Sequence, residues 1–137
     1  MKLPILLVES NALVRQAVAL TAASLSLGPV SQAASIQGAL RLMQSQPFAA
    51  AILPLQSDGD EDGRQFFELL DALRAGSTQS DQAIAVFVTA AACSKEEVGQ
   101  MMAAKVRRIL IKPFKARTLI DVLAEISAAD SVQSVTA

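Results

Sequence analysis

The sequence predicts an α/β doubly wound domain, with a five-stranded parallel sheet and five helices. Short apolar runs of strand length alternate with segments of helical period from one end to the other. Most of these runs are apolar at every position rather than at alternate ones, as strands covered on both faces require. Each return between runs is long enough for a helical crossover, which makes the sheet parallel and right-handed in its connections.

Leu3 to Val8 is the first strand, and Glu9-Ser10-Asn11 can cap the helix that follows. That helix places Val14, Val18, Thr21 and Leu25 on one face and stops at Gly28-Pro29. Val30 to Ala34 forms a second strand, and a helix from about Ser35 carries Ile36, Leu40 and Met43 inward. Gln46-Pro47 ends that helix, because the residue before a proline avoids helical dihedrals. Ala49-Ala50-Ala51-Ile52-Leu53 is the central strand, closed by Pro54, which has no N–H to offer a ladder. Leu55 to Gly63 holds four carboxylates and two glycines, so the chain is expected to leave the strand for a polar loop. Phe66, Leu70 and Leu73 then mark a third helix, ended by Gly76. Ala83 to Val88 is a fourth strand closing at Thr89. Ser94 to Glu97 has capping-box spacing and opens a fourth helix with Val98, Met101 and Met102. Ile109 to Ile111 is the fifth strand, stopped by Lys112-Pro113, and Leu119, Leu123 and Ile126 line the last helix. These elements make one domain over residues 1–128, and a flexible C-terminal tail over 129–137 with no apolar period.

Composition narrows the function classes. The chain has 137 residues, 52% of them hydrophobic, and a net charge of −1, which supplies no general field for nucleic acid or an anionic membrane. Histidine is absent and there is one cysteine, Cys93. The commonest general base, an internal disulfide and a cysteine metal cluster are thereby excluded. No run approaches the roughly 20 apolar residues of a membrane span, and a cytoplasmic location is expected. A flavin phosphate loop after the first strand is opposed by Glu9, which would repel the anion. No catalytic constellation is visible, and no enzyme activity is expected.

Several short motifs now resemble the receiver domain of two-component response regulators, over Leu3 to about Ile126. Val8-Glu9-Ser10-Asn11 with Arg15 resembles the acidic opening after the family's first strand. Pro47 to Leu53 resembles its third strand, Asp62-Gly63 its closing Asp-Gly, Thr89-Ala90 its Thr/Ser-Ala, and Lys112-Pro113-Phe114 its Lys-Pro-Phe. The resemblance implies the flavodoxin-like strand order 2-1-3-4-5, borrowed from that topology rather than read from periodicity. It also implies a cis peptide at Lys112-Pro113.

In that family an aspartate at the end of the third strand accepts a phosphoryl group, and two acidic residues help to hold Mg²⁺. In this chain the acceptor position is Pro54, with only Leu53 and Leu55 beside it. The second acidic position is Ser10, which leaves Glu9 alone, and Mg²⁺ wants carboxylate oxygens. Ile109 stands at the switch-aromatic position. Thr89 and Lys112 match, and Glu9 is expected to pair with Lys112. The sequence thus reads as a degenerate receiver without cofactor, acting as a phosphorylation-independent interaction module.

Two alternatives come from the acidic loop. Asp58, Asp60, Asp62 and Gly63 match positions 1, 3, 5 and 6 of a calcium loop, but Leu69 stands where the bidentate glutamate belongs and no helix enters the loop. A solvated acidic loop is the structural alternative. Asp58 could also serve as a displaced phosphoacceptor.

The partner is expected to be a signalling protein or a second copy, met on the face of the fourth helix, fifth strand and fifth helix. Ile109, Lys105, Arg107, Arg108, Lys115 and Arg117 are the candidate contacts there, the five cations being read as one cluster. Arg107-Arg108 replaces a pair that is acidic in the family, and Lys115 and Arg117 oppose the dipole of the helix they open. An acidic surface would complement them, against the alternative of a solvated face.

Overall fold

A computed structural model describes residues 3–26, 29–115 and 117–126. In chain order the elements are β1 (Ile5–Val8), α1 (Ala12–Ser24), β2 (Val30–Ala33), α2 (Ile36–Ser45), β3 (Ala50–Pro54), α3 (Arg64–Arg74), β4 (Ala85–Ala90), α4 (Lys95–Ala103) and β5 (Arg108–Ile111). Residues 117–126 form a last helix, α5. The five strands make one parallel sheet in the order β2-β1-β3-β4-β5, the fold and order that the sequence implied. Gly28 of the predicted breaker pair and the predicted tail at 129–137 lie outside the described residues.

Strand alternation divides the core into two layers. Leu6, Ala51, Leu53, Val86 and Val88 face α2, α3 and α4, while Ile5, Leu7, Ala50, Ile52, Phe87 and Leu110 face α1 and α5. Every residue of β3 is buried. Its alanines leave room for helices on both sides, with Ala50 in one layer and Ala51 in the other.

The caps follow the sequence. Asn11 accepts from the Leu13 and Val14 N–H groups, and Ser35 accepts from Gly38. Ser94 and Glu97 complete the reciprocal capping box. Gln46 ends α2 in an extended conformation before Pro47.

Three expectations are corrected. In α1 the buried residues are Val18 and Ala22, whereas Val14 and Leu25 are exposed. Nine of the 13 positions of that helix are apolar and they fall on all sides of it, so its pattern has no clear phase to read. In α4 only Met101 is buried, and Val98 and Met102 face solvent. The segment after β3 is not uniformly solvated, because Leu55 and Asp60 are both buried.

Candidate functional site

The carboxyl ends of the strands bring together Glu9 and Ser10 after β1, Pro54 at the end of β3, Thr89 in β4 and Lys112 after β5. Pro54 lies opposite Thr89. The regular ladder bond at this register runs from the Leu55 N–H to the Thr89 carbonyl at 2.8 Å. Pro54 and Thr89 are buried, and Ser10 is exposed.

Of the residues that directly follow the five strands, Glu9 is the one carboxylate. Its Oε1 lies 3.0 Å from Lys112 Nζ, the pairing the sequence predicted. Its Oε2 accepts the Asn11 N–H at 3.0 Å and the Ser10 hydroxyl at 3.4 Å. Burial alone would raise the Glu9 pKa. The Asn11 N–H, the hydrogen bond and charge of Lys112 and the Ser10 hydroxyl outweigh it, and hold the carboxyl below its usual range. Arg15 folds back to donate to the Glu9 carbonyl at 2.6 Å and the Ser10 carbonyl at 3.2 Å. The Lys112–Pro113 peptide is cis, as expected.

Gln56 belongs to this rim although its sequence context gives no sign of it. Its Nε2 donates to the Ala92 carbonyl at 2.7 Å, and its Oε1 accepts the Ala91 N–H at 3.1 Å. One amide therefore ties the loop after β3 to the loop after β4. Arg74 is a second residue without a sequence signal. Its guanidinium donates to the carbonyls of Gln82, Ile84, Ala104 and Lys105, holding the end of α3 against β4 and α4. Burial lowers its pKa from the usual arginine range.

The three loop aspartates do different things. Asp58 is exposed in a tight turn closed by Ser57 and Asp60. Asp60 is 3% exposed, and its carboxylate accepts the N–H groups of Gln65 at 2.9 Å and Phe66 at 3.2 Å. It caps α3 from outside, because Gly63 at the cap position has no side chain for the purpose. Asp62 accepts the Arg64 N–H at 3.1 Å. Gly63 has φ +75°, and a Cβ there would meet the Leu55 side chain and carbonyl at 2.9 Å, so only glycine fits. Among the described residues no group of three potential ligands is placed to hold a metal ion.

The expected cation cluster does not assemble. Arg107 and Arg108 flank Glu125 near the end of α5, at 3.7 and 3.8 Å. Arg117 opens that helix and pairs with Asp121 at 3.5 Å. Since α5 returns antiparallel to β5, Lys115 and Arg117 sit at the carboxyl end of the sheet, while Lys105, Arg107 and Arg108 precede or open β5 at the opposite end. Cations close in sequence are thus divided by the length of a strand and a helix.

Neither a protein-family model nor a curated protein matches this sequence. Solved structures do. The chemotaxis protein CheY4 of Vibrio cholerae is 23% identical, covering 92% of this chain and 99% of its own, with a TM-score of 0.73. A CheY-like receiver domain protein of Methanospirillum hungatei superposes at 0.75 over 97% of this chain and 99% of its own, at 17% identity. The chain has the receiver-domain fold. A two-component response regulator of Legionella pneumophila is similar as well, at 24% identity, 93% and 99% coverage and a TM-score of 0.71. Within the receiver fold, the strand end at which the sequence places the acceptor position is occupied by the buried Pro54. No helix among the described residues is long and apolar enough to cross a membrane.

Proposed function

We propose that this chain is a receiver-fold interaction module in signal transduction that works without phosphoryl transfer, and that it is not an enzyme. The observation that carries the proposal is Pro54 at the end of β3, opposite Thr89. A phosphoacceptor needs a carboxylate or another nucleophile at that point, and a pyrrolidine ring supplies none.

The donor set also fails to fit a divalent cation. Mg²⁺ takes hard oxygen ligands in a near-octahedral shell. Glu9, the one carboxylate directly following a strand, is committed to Lys112 and to Asn11 N–H. The module is therefore proposed to act without Mg²⁺. Asp58 is a poor displaced acceptor, because it is exposed on a turn beyond the rim.

The partner surface proposed is the face of α4, β5 and α5. Val98, Met102, Ile111 and Ile120 are exposed there, with Ile109 half-buried among them. β5 is also an edge strand, paired only with β4, so one row of its backbone groups is open to a partner. A signalling protein is the occupant that such a face favours.

Incubation with acetyl phosphate and Mg²⁺, followed by intact mass measurement, tests the central claim. No hydroxylamine-labile phosphoryl group is expected. A stoichiometric one would overturn the proposal.

A further inference from the structure

At the amino ends of β4 and β5, the end of the sheet remote from Glu9 and Lys112, a groove of about 1000 Å³ opens between α3 and α4. A volume of that size is at the upper end of small-molecule sites. Phe67, Leu70, Asp71 and Arg74 line one wall, their spacing placing them on a single face of α3. Gln100, Ala103 and Ala104 line the other, with Ile84 and Ala85 between. Small side chains at Ala85, Ala103 and Ala104 leave the space unfilled, while Phe67, Leu70 and Ile84 make much of its surface apolar.

The charge in this groove is unbalanced. Arg74, Lys105 and Arg107 line it against one acid, Asp71, in a chain whose net charge is −1. Arg107 is drawn to Glu125, but among the described residues neither Arg74 nor Lys105 has an ion-pair partner. Arg74 directs four of its five guanidinium N–H groups to neutral carbonyls. Its charge is met by dipoles alone, and one N–H is left over.

Lys105 is a second, independent irregularity. It follows the end of α4 with φ +62°, in the left-handed region where glycine is the favoured residue. Its N–H bonds to the Met102 carbonyl at 2.9 Å, so the turn uses the conformation and has no need of the side chain. A lysine kept at a backbone position that disfavours it points to a use for its charge.

We infer that this groove binds a small organic acid, with its apolar body against Phe67, Leu70 and Ile84 and its carboxylate against Arg74 and Lys105. A carboxylate matches the guanidinium N–H left over and the ammonium beside it, both of which gain strength from an ionised acceptor. A neutral ligand would leave the two cations unanswered, and an amine would add to them. The site lies a strand's length from Pro54 and Thr89, so it stands whether or not phosphoryl transfer is absent there.

Amide NMR titration of the whole chain tests it, with 2-naphthoate, its neutral isostere 2-naphthamide and the cationic 2-naphthylmethylamine as probes. Saturable shifts are expected for naphthoate at Phe67, Ile84, Ala103 and Lys105, with the amide about tenfold weaker for loss of a charge-assisted bond and the amine without effect. Ala103→Phe fills the groove from an exposed position and should abolish binding while the protein stays folded. Lys105→Gly should weaken naphthoate severalfold without weakening the amide, and should raise the melting temperature by relieving the backbone. No saturable shift, or shifts gathered around Glu9 and Lys112, overturns the proposal. Equal affinity for acid and amide, or naphthoate binding that survives Ala103→Phe, also overturns it. A Lys105→Gly variant that melts higher yet binds naphthoate as the wild type does overturns the role given to Lys105.

Discussion

Lys112 Nζ and Glu9 Oε1 meet at 3.0 Å although β1 and β5 are not neighbours in the sheet. β3 and β4 lie between them, so the pair passes over the strand ends that carry Pro54 and Thr89. One hydrogen-bonded ion pair thus joins the two sides of the rim.

This pair sets an acid-side pH dependence. The folded Glu9 pKa is depressed, so its stabilisation is present above the unfolded glutamate value of about 4.3. It is lost as pH falls through the lower, folded value. The melting temperature of the wild type should therefore decline more steeply below about pH 4.3 than that of Glu9→Gln. Lys112→Ala should cost about 1 kcal/mol at neutral pH, since Lys112 is partly solvated. Thermal melts at stepped pH check both.

Restoring the missing oxygens should change the chemistry. Pro54→Asp with Ser10→Asp places three carboxylates at one rim, with Lys112 opposite, and this variant is expected to take a phosphoryl group from acetyl phosphate in the presence of Mg²⁺. It should be less stable than the wild type by about 1–3 kcal/mol without the ion, because buried like charges oppose one another. Intact mass and chemical denaturation read the two effects. A wild type that reacts equally would show that Pro54 does not block the reaction.

The acidic loop gives a third test. Asp60 supplies the cap that Gly63 lacks, so Asp60→Ala should lower stability by about 1–2 kcal/mol, whereas Asp58→Ala should leave it unchanged. Calcium at about 1 mM, the weak end of real calcium loops, should shift neither the wild type nor Asp58→Ala in thermal melts. A calcium-specific rise would restore the calcium-loop alternative.

That loop shows where the sequence was legible and where it was not. Apolar strand runs and local caps such as Ser94–Glu97 involve residues close in the chain, so spacing alone reveals them. Glu9 and Lys112 lie far apart, but each ends a recognisable strand, and the strand order brought them together. Asp60 looked like its neighbours Asp58 and Asp62, because burial rather than residue type distinguishes it. Gln56 and Arg74 bond to backbone groups distant in sequence, and such partners leave no local pattern. The cations differ for another reason: closeness in sequence is not closeness in space, because β5 and the start of α5 separate them.

The last prediction separates charge from apolar contact on the α4–β5–α5 face. Arg107 and Arg108 both engage Glu125, so Arg107→Glu with Arg108→Glu sets three carboxylates together and should cost stability, about 1 kcal/mol for exposed groups of this kind. Such a variant tests the fold as much as the surface. Met102 and Ile111 are each 49% exposed. Met102→Glu with Ile111→Glu should therefore leave melting unchanged while weakening capture of a partner that the wild type retains. Capture should also survive higher salt, because an apolar contact is not screened as an ion pair is. Pull-down at two ionic strengths, with melting curves for both double variants, distinguishes the cases. Capture lost on raising salt, yet unaffected by Met102→Glu with Ile111→Glu, would return the interface to the cations.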